Sequence, residues 1–185
     1  MESTDRRIRK TLTTLKSSLL VLLSKKKLAE VTVSELCETA DINRTTFYAH
    51  YQTVRDLYEE IEKDELEELK KIMEPDSSHT YNDLYAAIVE HIYNNQLLYK
   101  TLFSTKSDFF FNSIMKELKS TFENIWKYEI KSDNLPDNFK YLEIYHLNGI
   151  IAVIQDWILE GFITPREKLV VIIKALDYNI DNLEL

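Results

Sequence analysis

Glycine is nearly absent: Gly149 and Gly161 are the two in 185 residues. Sheets joined by tight turns draw on glycine wherever a turn needs positive φ, so a β-rich fold is excluded and helices joined by polar linkers are expected. The same scarcity excludes a Gly-rich phosphate loop. The prolines, Pro75, Pro136 and Pro165, each fall where the apolar pattern breaks, and read as punctuation between helices. A lone cysteine, Cys37, cannot close an internal disulfide, and on the inner face of a short helix it reads as a small core residue rather than a nucleophile. No run approaches the roughly 18 apolar residues that span a bilayer, and no apolar leader opens the chain. A cytoplasmic protein without membrane attachment is expected. His50, His79, His91 and His146 lack the H-x₃-H or H-E-x-x-H spacing of a zinc site. With no catalytic constellation, neither an enzyme nor a cofactor is expected, and the metal ligand set is read as none.

What is present is an uneven charge. The net charge is −8, yet residues 1–58 hold ten basic against seven acidic side chains, and residues 59–185 hold thirteen against twenty-four. A basic head on an acidic body suits a protein that sets one end on phosphates while the other stays soluble.

The apolar spacing of Ile8, Leu12, Leu15, Leu19 and Leu22 predicts a first helix over Asp5–Ser24, followed by the triple Lys25–Lys26–Lys27. Thr32 and Glu35 form a T-x-x-E capping box before a short helix whose inner face is Val33, Leu36, Cys37 and Ala40. Asn43 caps a second short helix, with Ile42 placed to pack on Phe47 as a hydrophobic staple. Two short helices about three residues apart make a helix-turn-helix, motif residues 32–51. Thr53 and Asp56 cap a longer helix whose alternating acids and lysines predict a largely solvated outer face. The expected organisation is a DNA-binding head over 1–53, a connecting helix over 54–74, and a C-terminal body over 75–185, with EPDSSHT as the boundary. Five further helices are expected, at about 81–94, 96–103, 108–130, 139–160 and 165–181, the last opened by Thr164, Pro165 and Glu167. The fold class is all-α with about nine helices.

In a helix-turn-helix the second helix enters the major groove. With Phe47 inward, Arg44, Thr45, Tyr48 and Ala49 share the outer surface. Arg44 offers a bidentate pair to guanine, Thr45 and Thr46 offer hydroxyls and methyls, and Ala49 permits close approach. Tyr48 and His50 can donate to phosphates. Thr32 with the free N–H groups behind it forms a phosphate seat, and Lys27 and Arg55 supply flanking cations.

The segment Thr32–Leu57, TVSELCETADINRTTFYAHYQTVRDL, resembles the DNA-binding domain of the TetR/AcrR family of transcriptional regulators. Thr32, Ala40, Asn43, Tyr48 and His50 stand at the family's positions, with Tyr51 in the aromatic slot. Asp41 replaces the turn glycine, tolerable because aspartate visits left-handed φ more readily than most residues. Val54 occupies the usual lysine slot, with Arg55 beside it. More loosely, GIIAVIQDWILEGFITPREKL is similar to the family's penultimate helix and the start of its last. The resemblance implies a homodimer on a palindromic operator in double-stranded DNA, acting as a repressor released by a small-molecule or protein effector.

The last two helices are apolar over arcs wider than one neighbour would cover, so Ile150, Ile151, Ile154, Trp157, Ile158, Val170 and Ile173 are the expected dimer interface. The body's aromatic side chains are read first as core. If an effector binds there, its lining is drawn from Tyr85, His91, Tyr99 and Phe110. The run Phe109–Phe111 cannot lie on a single helical face. The alternative function is a protein-interaction adaptor that keeps the fold and acts through a partner protein.

Overall fold

A computed structural model of the protein describes residues 2–74, 81–105, 108–130, 135, 137 and 139–181, and among these every regular element is helical. The expected boundary at residues 75–80 lies outside the described residues. In chain order the helices are α1 (Glu2–Leu23), α2 (Val33–Ala40), α3 (Arg44–Tyr48), α4 (Val54–Met73), α5 (Tyr81–Asn94), α6 (Gln96–Thr105), α7 (Asp108–Ile130), α8 (Phe139–Leu159) and α9 (Arg166–Asp181), with a 3₁₀ turn at Leu28–Glu30.

The first helices follow from their caps and stripes. Leu15, Leu19, Leu22 and Leu23 of α1 are buried, while Ile8 at its start stays exposed. Thr32 Oγ1 accepts the Glu35 N–H at 3.2 Å. The reciprocal arm of the expected box is not made, because the Glu35 carboxylate turns instead to the Lys26 ammonium at 2.6 Å. Leu36, Cys37 and Ala40 are buried as their spacing predicts. Asp41 then takes φ 52°, ψ 45°, and Ile42 N–H reaches back to Cys37 O at 2.9 Å, so aspartate performs the left-handed helix stop that glycine usually performs. Asn43 Oδ1 accepts the Thr45 N–H at 2.8 Å and starts α3. Thr53 and Asp56 form a complete box: Asp56 N–H donates to Thr53 Oγ1 at 3.2 Å and Thr53 N–H to Asp56 Oδ2 at 2.9 Å.

Helix α4 is more enclosed than its charge predicts. Glu62 and Glu65 are buried with Leu57, Tyr58, Ile61, Leu66, Leu69 and Met73. It packs on α1, α5 and α7, so it touches both halves of the chain. Around it α5 lies against α9, α6 and α7 lie against α8, and α8 lies against α9. Phe109, Phe110 and Phe111 divide as expected: the first is exposed, the second fully buried, and the third meets Phe103 edge-on at 5.0 Å. Helix α8 stops at Gly161 (φ 86°) and Phe162 (φ 64°), where Phe162 N–H returns to Trp157 O at 2.9 Å. The left-handed Phe162 is held by its ring, packed edge-on against Trp157 at 4.8 Å and Tyr93 at 6.1 Å. The last helix begins at Arg166, one residue later than expected, with Pro165 O accepting its first N–H from Leu169 at 3.0 Å.

Candidate nucleic-acid interface

Helix α3 is one and a half turns long, and its placement depends on a single buried ring. Phe47 is wholly inside, against Tyr51 at 5.7 Å and Tyr48 at 5.5 Å. Ile42 is half-buried on the same core. With Phe47 inward, helical periodicity turns Arg44, Thr45, Tyr48 and Ala49 outward, and all four are exposed, Tyr48 by 58%. Thr46 is half-buried, and His50 is exposed beyond the helix end. Thr32, Lys27 and Arg55 are exposed as well. Arg55 is paired within its own helix, Nε to Glu59 Oε1 at 3.1 Å. The Arg44 guanidinium donates to the Ser34 hydroxyl at the start of α2, so the side chain is held across the motif rather than left free. Sequence reading missed Ser34, which has no pattern of its own to mark it.

The motif is fastened to α4 by a charged cluster. Lys16 on α1 meets Glu60 Oε1 at 2.6 Å and Asp64 Oδ2 at 2.5 Å, and the Tyr51 hydroxyl donates to Glu60 Oε1 at 3.0 Å. Burial lowers the tendency of Lys16 to stay charged, but its two carboxylates outweigh this and raise its pKa. Burial likewise pushes the Glu60 carboxyl up, and the hydrogen bonds from Lys16 and Tyr51 bring it below the ordinary value. Burial first, then the adjacent Glu60 charge, raises the Tyr51 phenol, so it remains a donor.

Deeper in the protein, Glu65 of α4 accepts from two other helices. Its Oε1 lies 2.7 Å from His91 Nε2 on α5 and also takes the Tyr99 hydroxyl of α6. The hydrogen bond to Glu65 raises the His91 pKa against the opposing effect of burial. Tyr58, also on α4, hydrogen-bonds Thr105 on α6, and burial pushes its phenol up to about 12.

Of the residues expected to line a pocket, Tyr85 alone borders the small body cavity. That cavity of 60 Å³ is walled by apolar side chains of α5, α7, α8 and α9, and the Tyr85 hydroxyl meets His146 Nε2 there at 2.8 Å. His91 and Tyr99 belong to the Glu65 cluster, and Phe110 is plain core. Among the described residues no group of His, Cys, Asp and Glu side chains is placed to hold a metal ion, and no helix is long and apolar enough to cross a membrane.

The residues expected at the dimer face divide by burial. Ile154, Trp157, Ile158 and Ile173 are buried within the protomer, Trp157 stacked on Tyr93 with its Nε1 donating to Thr164 O at 2.7 Å. Ile150, Ile151 and Val170 are half-buried, the two isoleucines at the rim of the body cavity. A surface offered to a second subunit must be exposed in one, and Ile154, Trp157, Ile158 and Ile173 are not. Among the described residues, the large apolar side chains that α8 and α9 do expose are Tyr141, Ile144, Tyr145, Leu159, Val171, Ile172 and Leu176, with Tyr145 69% and Val171 64% exposed.

Residues 79–177 match a family described as "Transcriptional regulator C-terminal region" of the TetR type. No curated protein sequence matches the chain. Among solved structures, the fold is similar to the dihydroxyacetone kinase operon activator DhaS, at a TM-score of 0.67 and 22% identity over 92% of this chain and 96% of that one. A TetR transcriptional regulator from Streptococcus agalactiae 2603V gives a TM-score of 0.67 and 22% identity over 100% and 99% of the two chains. A TetR-family regulator from Streptomyces coelicolor gives 0.66 and 15% over 93% and 82%.

Proposed function

Because the chain belongs to the TetR family of transcriptional regulators, we propose that it is a homodimeric repressor that reads a palindromic operator with α3 and leaves it when an effector binds. The observation that carries this reading is the outward set Arg44, Thr45, Tyr48 and Ala49, opposite the wholly buried Phe47. In the groove Arg44 pairs with a guanine edge, Thr45 and Tyr48 flank it, and Ala49 lets the helix approach. Thr46, His50, Thr32, Lys27 and Arg55 hold the backbone around them. Residues 1–53 are the DNA-binding unit, 54–74 the connection and 75–185 the pairing and sensing unit.

The two copies pair through the exposed apolar faces of α8 and α9 rather than through the inward residues. The effector acts at the body cavity, whose 60 Å³ must widen to admit it, and whose apolar walls and Tyr85–His146 pair favour a small, largely apolar molecule with one hydrogen-bonding group. Binding there shifts α4 and with it the spacing of the two recognition helices, and only a spacing that fits successive grooves retains full affinity. Repression is the proposed sign because operator occupancy by itself suffices for it. DhaS is named an activator, so a promoter fusion is the assay that decides the sign.

Selection of genomic fragments with the purified protein tests the reading. Enrichment of an inverted repeat, bound with steep salt dependence, is the expected result. Failure to enrich any duplex, together with specific retention of a partner protein, would favour the adaptor.

A further inference from the structure

A cleft of 1740 Å³ lies between the end of α1 and the start of α4 on one side and α6 with the end of α8 on the other. Its lining combines two features seldom found together. Leu97, Phe109 and Leu159, exposed by 39, 49 and 56%, all border it, with Tyr58 behind them. Lys25, Lys27, Lys63 and Lys100 also border it, and among the described residues none of their four ammonium groups is paired with a carboxylate, whereas the charged groups of Lys26 and Arg55 beside them are. Six cations thus face three carboxylates (Glu30, Glu59, Glu62) in a chain whose net charge is −8. The Lys100 ammonium is held 5.2 Å over the Phe162 ring, at the edge of the apolar floor.

We propose that this cleft binds an amphipathic anion, an acyl chain with a phosphate or carboxylate head, and that its occupancy sets how the N-terminal helices sit on the rest of the protein. A neutral lipid would cover the floor and leave the ammonium groups without a counter-charge. A bare inorganic anion would neutralise them and leave the floor wet. Small-ligand pockets run to about 300–1,000 Å³, so this cleft has room for an extended chain. The site is separate from the body cavity and from the surface of α3. Because one wall comes from the end of α1 and the start of α4 and the other from α6 and the end of α8, a bound molecule that bridges them changes their relative position.

Isothermal titration of the full chain with dodecyl phosphate, kept below its micelle threshold, tests the binding and needs no operator. One molecule should bind per chain, at least tenfold more tightly than dodecyl maltoside or inorganic phosphate. The double variant Lys63→Gln/Lys100→Gln should lose at least tenfold in affinity while keeping its helix content by circular dichroism, and Phe109→Ser should lose a similar factor. No saturable binding, equal binding of the neutral detergent, or unchanged affinity in the double variant would overturn the site. Saturable binding of an acidic amphipathic helical peptide where dodecyl phosphate fails would likewise overturn it, in favour of a protein partner. The regulatory half rests on the DNA-binding reading. Once an operator is in hand, dodecyl phosphate should change operator affinity at least fivefold in the native chain and not in the double variant, and no change despite saturation would overturn that half alone.

Discussion

Tyr51 and Glu60 are joined by a 3.0 Å hydrogen bond, and the oxygen that accepts it also takes the Lys16 ammonium at 2.6 Å. One carboxylate therefore fastens α1 and the residue just past α3 to α4. Glu60→Gln should lower folding stability by about 1 kcal/mol after solvent screening, read by urea denaturation at neutral pH. Because folding holds the Glu60 pKa below its ordinary value, this contribution is present above the unfolded pKa and is lost as pH falls through the folded one. The stability gap between native and variant chains should therefore close in acid, below about pH 4.5. A gap that widened in acid would contradict the assignment.

Arg44 and Lys27 should fail in different ways. Replacing Arg44 by alanine should cost about 1–3 kcal/mol on the selected operator and relax selectivity at one base pair. Lys27→Ala should weaken all duplexes alike and reduce the salt slope by about one unit. Ser34→Ala removes the hydroxyl that holds the Arg44 guanidinium, so it should show a milder form of the Arg44 defect. Equal losses across all sequences for Arg44→Ala would remove it from base reading.

Pairing and folding should separate by face. Val171→Asp or Tyr145→Asp should give folded monomers by light scattering, with native helix content and a melting temperature that no longer depends on protein concentration. Trp157→Ala should instead lose about 3–5 kcal/mol of folding stability, the range for a large aromatic removed from a core. Retention of the dimer in Val171→Asp would move the interface elsewhere.

Histidine 91 should make the protein more stable towards acid within the near-neutral range. Its pKa is raised by the hydrogen bond to Glu65, against burial, with Glu68 adding to the same field and the Tyr99 phenol staying neutral beside it. A raised folded value means that the stabilisation is complete below the unfolded value of about 6.5 and is lost as pH rises through the folded one. His91→Gln should therefore cost more at pH 5.5 than at pH 8.5, measured as the difference in urea midpoints. A cost independent of pH would rule out the charged pair.

Much of this is legible in the sequence. The caps at Thr32, Asn43 and Thr53 mark helix starts through local chemistry, and Asp41 marks a stop because few other residues tolerate its backbone angles. Two things were not read. The charge of α4 concealed its stripe: Val54, Leu57, Tyr58, Ile61, Glu62, Glu65, Leu66 and Leu69 recur at three and four, so Glu62 and Glu65 were placed to be buried by spacing alone. The partners of Glu65, His91 and Tyr99, lie on other helices, a distance that no local pattern encodes. The apolar residues of α8 lie on more than one side, and periodicity cannot tell which side a second subunit covers and which its own core fills. That is why the sequence points to Trp157, and not to Tyr145, for the pairing face.

Glu65 stands near the middle of α4, anchored to two helices at once. A rod held there resists sliding along its length, since sliding breaks both bonds, but it can still pitch. The stretch from Glu65 back to Val54 is roughly 16 Å at 1.5 Å per residue, so a pitch of about 5° carries its far end roughly 1.4 Å. Anything that presses on the Met73 end in one direction therefore displaces Thr53, and the groove-reading helix just before it, in the other. The carboxylate is the fulcrum of that seesaw.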